Sequence, residues 1–327
     1  MKIGIISQIS SDLHGFVSFL NELAVDQSEI KRIINLGDFI GSGIFTNYCL
    51  DIARFICQSY FSPGPVEDKV IVNCLKLGGI TSQDAQATIM KFLKNGVIMH
   101  SLIGRQDLAS FNREFFRQFN QKPVLNIKHE NLLFLLWHRF PGTQEFINRM
   151  RLNQNRIPEG HYNLDISFAY GSWHDSYGEQ IESYKHLTNQ LADAGEHTFS
   201  LEKRIKRVQT IINDNFSIMK HWRTIMFIGG CPEALLFYKK AEQSQQWFVY
   251  EEPVEPGRRY SIDNNCNYIV TVPPLGRQSD TLEQFSGYIV LDIPEQTDQK
   301  PTFTLHPISL SGETTETCPS EPASEAD

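Results

Sequence analysis

The feature that most constrains this chain is a recurring unit: a short run of β-branched and aliphatic residues ending in a turn of small and polar ones. Residues 2–7, 32–36, 97–103, 164–170 and 224–228 all read as strands of this kind. Between the first of them the apolar spacing becomes helical. Leu13, Phe16, Leu20 and Leu23 lie on one helix face, with Asp12 placed as the cap, and Cys49, Ile52, Ala53 and Ile56 share a face of a helix predicted over 46–60. Residues 62–79, with their Pro and Gly content and a short apolar run, read as an insertion. A helix over 82–93 follows, closed by Asn95-Gly96.

Further along, a helix-rich connection that includes 111–119 leads to a strand over 132–136, and a helical stretch occupies 176–220. Lys203, Lys206 and Arg207 in that stretch read as a solvated face. Strands then dominate, over 234–239, 246–251, 267–272, 288–293 and 302–306. Strand–helix alternation followed by closely spaced strands predicts an α/β fold of two packed mixed β-sheets flanked by helices. Residues 1–310 form one domain on this reading. The tail, 311–327, carries Glu313, Glu316, Glu321, Glu325 and Asp327, no basic residue and almost nothing apolar, and is expected to be disordered.

Composition narrows the function. A net charge of −8 disfavours a protein that grips nucleic-acid phosphates. Cys49, Cys57, Cys74, Cys231, Cys266 and Cys318 show no Cys-x-x-Cys pair, so neither a zinc site nor a disulfide framework is signalled, and buried thiols in a reducing compartment are expected. The first strand begins almost at residue 1, leaving no room for a signal peptide. The richest apolar stretch, 131–137, is far short of the roughly 20 residues that span a bilayer. A cytoplasmic protein with no membrane segment is the expectation.

In α/β layouts functional residues gather in turns after the strand C-termini. Here those turns read Ile6-Ser7-Gln8-Ile9-Ser10, Leu36-Gly37-Asp38-Phe39-Ile40-Gly41, Ile103-Gly104-Arg105-Gln106-Asp107, Tyr170-Gly171-Ser172 and Ile228-Gly229-Gly230-Cys231-Pro232. In that order they resemble the motifs of the calcineurin-like metallophosphoesterases: Asp-x-His, Gly-Asp-x-x-Gly, Gly-Asn-His-Asp or Glu, a later His often before Gly-Ser, and Gly-His-Thr-His. The compact microbial phosphodiesterase branch is the most similar, since Gly41-Ser42-Gly43 runs on to Asn47-Tyr48-Cys49 at that branch's spacing. Val272-Pro273-Pro274-Leu275-Gly276 stands where the family often has Asn-Pro-Gly-Ser-Val-Gly. The resemblance implies a four-layer αββα sandwich, with insertions near 61–95 and 176–220.

The family's chemistry uses two divalent ions that polarise a phosphoryl oxygen and turn a bridging water into hydroxide, which requires carboxylate and imidazole ligands around both. Carried over residue by residue, Asp38 matches the bridging carboxylate and Asp107 the acidic end of the third motif. Arg105 stands for the Asn ligand, Gln106 for the catalytic His, Tyr170 for the later His, and Gly230 and Pro232 for the last two His. The first motif has two registers. A gapless one puts Gln8 and Ser10 at the Asp and His positions. A four-residue bulge brings Asp12 and His14 there instead. The gapless register is preferred because it leaves the strand uninterrupted and makes Asp12 a helix cap.

Arg105 cannot coordinate a cation and carries fixed positive charge. It either replaces the second ion as the local positive charge and binds an anion, or only neutralises Asp38. His174, Asp175 and Glu233 could substitute for missing ligands but read better as loop residues, and His100 and His138 as packed or exposed histidines. Cys231 has no neighbouring base to activate it. Trp173, Trp222 and Trp247 read as core or rim aromatics. The expectation is a catalytically inactive binding or regulatory relative, with no metal favoured and a phosphate-containing small ligand or another protein as partner. The alternative is a divergent phosphoesterase holding one divalent metal (Mn, Mg, Zn or Ni) at Asp12, His14 and Asp38.

Overall fold

Strand β1 (Lys2–Ile6) shows how the sheets are built. Ile3 and Ile5 point into one hydrophobic cluster and Ile6 into another, the period of two that puts alternate side chains on opposite faces. The computed structural model describes residues 1–41, 45–57, 66–102, 104, 107, 128, 131, 149–151, 157–161, 164–170, 224–230, 234–240, 250–276, 285–296 and 298–308.

Within these, α1 (Leu13–Asp26) follows β1, then β2 (Arg32–Asn35), α2 (Thr46–Ile56), α3 (Asp68–Leu77), α4 (Gln83–Lys94) and β3 (Ile98–Ser101). After β4 (Arg149–Arg151) come β5 (Asp165–Tyr170), β6 (Thr224–Gly229), β7 (Leu235–Lys240) and β8 (Tyr250–Pro253). Strands β9 (Arg259–Ser261), β10 (Cys266–Thr271), β11 (Gly287–Asp292) and β12 (Thr302–Pro307) complete the series.

The strands form two six-stranded mixed sheets, ordered β3-β2-β1-β11-β12-β9 and β4-β5-β6-β10-β7-β8. In the first, β1, β2 and β3 run parallel while β11 pairs antiparallel with β1. In the second, β5, β6 and β10 are parallel. One cluster, with Ile3, Ile5, Ile34, Phe168, Phe227 and Ile289, fills the space between the sheets. The other lies between the first sheet and the four helices. Met226 and Ile228, on the far face of the second sheet, are buried as well. This is the α/β sandwich expected.

Local signals account for the helices. Asp12 is the N-cap of α1 and its Oδ1 accepts from Gly15 N at 3.0 Å. Ser82 caps α4 in the same manner, and Gly96, at φ 76°, follows its end. Helix α3 was not expected: its Ile71, Cys74 and Leu75 have helical spacing, and they pack into the same cluster as α1, α2 and α4. Strands β4 and β9 were also not anticipated. They are three-residue edge strands, and β9 is fixed by Tyr260, whose ring stacks on Phe303 with centroids 5.0 Å apart. The segments read as 111–119, 132–136, 176–220 and 311–327 fall outside the described residues, except Lys128 and Asn131 beside them.

Candidate functional site

Because β1, β2, β3, β5, β6 and β10 share parallel pairings within their sheets, the turns that follow them collect at one end of the sandwich. Backbone hydrogen bonds join the turns to each other. Gln8 N donates to Gly37 O at 2.9 Å, Ser10 N to Asp38 O at 2.9 Å, and Ser11 N to Phe39 O at 3.0 Å. On the other side, Leu275 N donates to Ser7 O and Gly276 N to Gln8 O, so the 272–276 turn closes against the first one. The two sheets meet where Gly230 N donates to Ser7 Oγ at 3.2 Å.

Close approach is made possible by glycine. A Cβ on Gly104 would lie 2.1 Å from both the nitrogen and Oδ1 of Asp38, and one on Gly229 would lie 2.5 Å from Ser7 Oγ. Asp107 clamps the same place. Its Oδ1 accepts from Ile40 N at 2.8 Å and its Oδ2 from Gly104 N at 3.0 Å, with the side chain fully buried. Ser11 Oγ accepts from Gly41 N at 3.0 Å and shares a hydrogen bond with Thr46 Oγ1 at 2.8 Å.

The positive-φ non-glycine residues among those described all lie here: Gln8 at 51°, Ser10 at 52°, Ser11 at 61° and Asp38 at 53°. Each such residue costs on the order of 1–2 kcal/mol, and strain of this sort concentrates at functional sites. Gln8 and Ser10 are more than nine-tenths buried, yet among the described residues Gln8 Oε1 and Ser10 Oγ have no hydrogen-bond partner. Asp38 is 2% exposed.

The expected site residues are therefore placed as follows. Gln8, Ser10, Asp38, Asp107 and Gly230 come together at the strand ends. Tyr170 ends β5, paired with Gly229 across the ladder. Arg105, Gln106, Cys231 and Pro232 lie outside the described residues, as do His138, His174, Asp175, Glu233, Trp173, Trp222 and Trp247. Asp12 and His14 belong to the start of α1. Asp12 serves as its cap, and the His14 ring packs edge-on against Phe45 with centroids 5.9 Å apart. His100 is half-buried on β3. Among the described residues no group of three or more His, Cys, Asp and Glu side chains is arranged to hold a metal ion. No described helix is long and apolar enough to cross a membrane. Sequence reasoning missed Ser7, Ser11 and Thr46, which tie the turns together. The only signal for them was the density of serine around Gln8.

No family model matches the chain, and no curated protein matches it. Among solved structures, one crystal structure is similar at 12% identity and a TM-score of 0.31, covering 94% of this chain and 99% of that one. The structure of Haemophilus influenzae NAD nucleotidase is similar at 11% identity and a TM-score of 0.32; the match covers 92% of this chain and 49% of the nucleotidase. Neither likeness is close enough to carry a functional argument.

Proposed function

We propose that this is a metallophosphoesterase-like protein whose two-metal centre has decayed, and that it acts as a catalytically inactive binding or regulatory module for a small phosphate-containing ligand. The observation that carries this is the donor set around Asp38. The residues that bond to the Asp38 turn at the first-motif positions are Gln8 and Ser10, an amide and a hydroxyl where the family has a carboxylate and an imidazole. Gly230 offers no side-chain donor at all. Among the described residues the site's carboxylates are Asp38 and Asp107, the latter already accepting from Ile40 N and Gly104 N, which does not fit a pair of divalent cations that demand several anionic or imidazole ligands.

In this reading Arg105, an arginine where the family has a metal ligand, supplies the positive charge that a metal would have supplied and receives the phosphate. The one-metal alternative draws its ligands from Asp12, the cap of α1, and His14, whose ring packs on Phe45.

The test is direct. Purified protein supplied with Mn, Mg, Ni or Zn is expected to leave simple phosphodiesters and phosphomonoesters unhydrolysed, and elemental analysis is expected to find transition metal well below stoichiometry. Metal-dependent turnover that Asp38→Ala abolishes would overturn the proposal.

A further inference from the structure

We propose that Lys128 is a charge-operated latch that fastens the chain beyond the third turn to helix α2, and that acylation of its amine by an acyl phosphate opens the latch. This inference does not depend on the phosphate-binding reading.

The latch joins Asn47, Asp51 and Arg54 of α2 to Lys128 and Asn131. Lys128 Nζ donates to Asp51 Oδ2 at 3.0 Å, and Lys128 N donates to Asn47 Oδ1 at 2.9 Å. Asn131 Nδ2 donates to Asn47 O at 3.3 Å and to Asn47 Oδ1 at 3.1 Å, while its Oδ1 accepts from Arg54 Nη1 at 3.1 Å. Arg54 Nη1 also lies 3.6 Å from Asp51 Oδ1. Asn131 N donates to Lys128 O at 3.0 Å, which brings the two contact residues into one turn. Helix α2 follows the Asp38 turn in sequence, and Lys128 lies downstream of Asp107. The contacts therefore tie the chain leaving the second turn to the chain leaving the third.

Burial separates Lys128 from its partners. The Asp51 side chain is 4% exposed and Asn131 is fully buried, whereas the Lys128 side chain is 53% exposed. The other lysines in ion pairs among the described residues, Lys2, Lys69, Lys94 and Lys300, meet carboxylates that are themselves 49% exposed or more. Surface pairs of that kind contribute little. At Lys128 an amine within reach of a reagent in solution neutralises a carboxylate that water does not reach. Removing one partner of such a pair leaves a buried charge without compensation, which is strongly destabilising.

Acylation does this. The deprotonated Nζ attacks the carbonyl carbon of the acyl phosphate, the C–N bond forms, and the bond from that carbon to the phosphate oxygen breaks. Hydrogen phosphate leaves with a proton from the amine. The product keeps one N–H but carries no charge, and it sets an acyl group against α2.

The experiment treats the full chain with acetyl phosphate and locates the acetylated residues by mass spectrometry. Hydrogen exchange is then followed in peptides containing Lys128 and Asn131, with peptides from β11 as the control for global unfolding. Acetyl-Lys128 is expected in the folded chain, with exchange around Lys128 and Asn131 faster by on the order of tenfold and exchange in β11 unchanged. Lys128→Gln is expected to reproduce this, and Lys128→Arg to keep the parent rate. Asp51→Asn removes the carboxylate that neutralisation strands, so adding Lys128→Gln to it should change exchange by about twofold or less. If Lys128→Gln does not fold, the acetylated parent chain carries the measurement. Acetyl groups on Lys69 and Lys300 with none on Lys128 would overturn the modification. Unchanged exchange once the charge is removed, an equal acceleration in β11, or a full Lys128→Gln effect in the Asp51→Asn background would overturn the latch.

Discussion

Asp107 holds Ile40 in place from 67 residues away: one carboxylate oxygen accepts the Ile40 amide at 2.8 Å while the other accepts from Gly104. The third turn thereby fixes the shape of the second, and with it the backbone that carries Asp38. Asp107→Asn would turn an amide NH2 toward one of these two N–H groups. The substitution is expected to destabilise the protein by about 2–3 kcal/mol, the cost of losing a charged hydrogen bond and stranding a buried donor. Urea unfolding of the variant measures this directly; a loss within experimental error would mean that the clamp is not structural.

Gly104 faces Asp38 so closely that any side chain must displace it. Gly104→Ala is expected to cost about 3 kcal/mol or more, the upper range for forcing atoms into a packed site. Gly96→Ala is the natural comparison. Gly96 has a positive φ but open space around it, so only the backbone penalty of about 1–2 kcal/mol applies. Denaturation midpoints for the pair should therefore separate, with the Gly104 variant much the weaker.

His306 stacks on Tyr288, with ring centroids 5.1 Å apart. Burial is the main influence on its imidazole and pushes the pKa below the ordinary 6.5; Asp26 opposes this and Lys2 adds to it. The neutral ring is thus favoured by folding. Its contribution to stability is complete above pH 6.5 and is lost as the pH falls through the lowered value. His306→Phe keeps the stack and removes the titration, so its stability should vary less than that of the parent protein over this acidic window. Thermal melts at a series of pH values give the comparison.

The thiols of Cys49, Cys57 and Cys74 are buried. Burial raises all three, pushing Cys57 and Cys74 up to about 12 and Cys49 well above its usual value. Since the thiolate is the reactive form, these three should resist alkylation in the native protein and react only on unfolding. Mass spectrometry of peptides after brief iodoacetamide treatment, with and without denaturant, distinguishes the two states. Native labelling of Cys57 would contradict the tight packing that lets its Sγ donate to Met99 O.

Much of the scaffold was legible because its signals are local. The aliphatic run of β1, the Asp12 cap and the Leu13, Phe16, Leu20 and Leu23 face of α1 each depend on residues close in sequence. Helix α3 was obscured by neighbouring prolines and by its short apolar run, although Ile71 and Cys74 carry the period. Strand β9 could not be read, because its three residues become a strand only through the Tyr260–Phe303 stack with a segment far along the chain. At the candidate site, residue identities were visible but backbone geometry was not. Nothing in Gln8, Ser10 and Ser11 announces a left-handed conformation, since glycine and asparagine, the usual markers, are absent there. The unpaired state of Gln8 and Ser10 is likewise a property of long-range packing.

Strand β1 sits inside its sheet between β2 and β11, and Ser7 is bridged to Pro274. On the ribosome this means that β1 emerges nearly three hundred residues before β11, the strand that covers one of its edges. Until then the Gln8–Ser11 loop lacks the strand end that closes over it. Assembly of these turns therefore waits for residues 274–292, and a translation product interrupted before them would present a bare strand edge to the folding machinery of the cell.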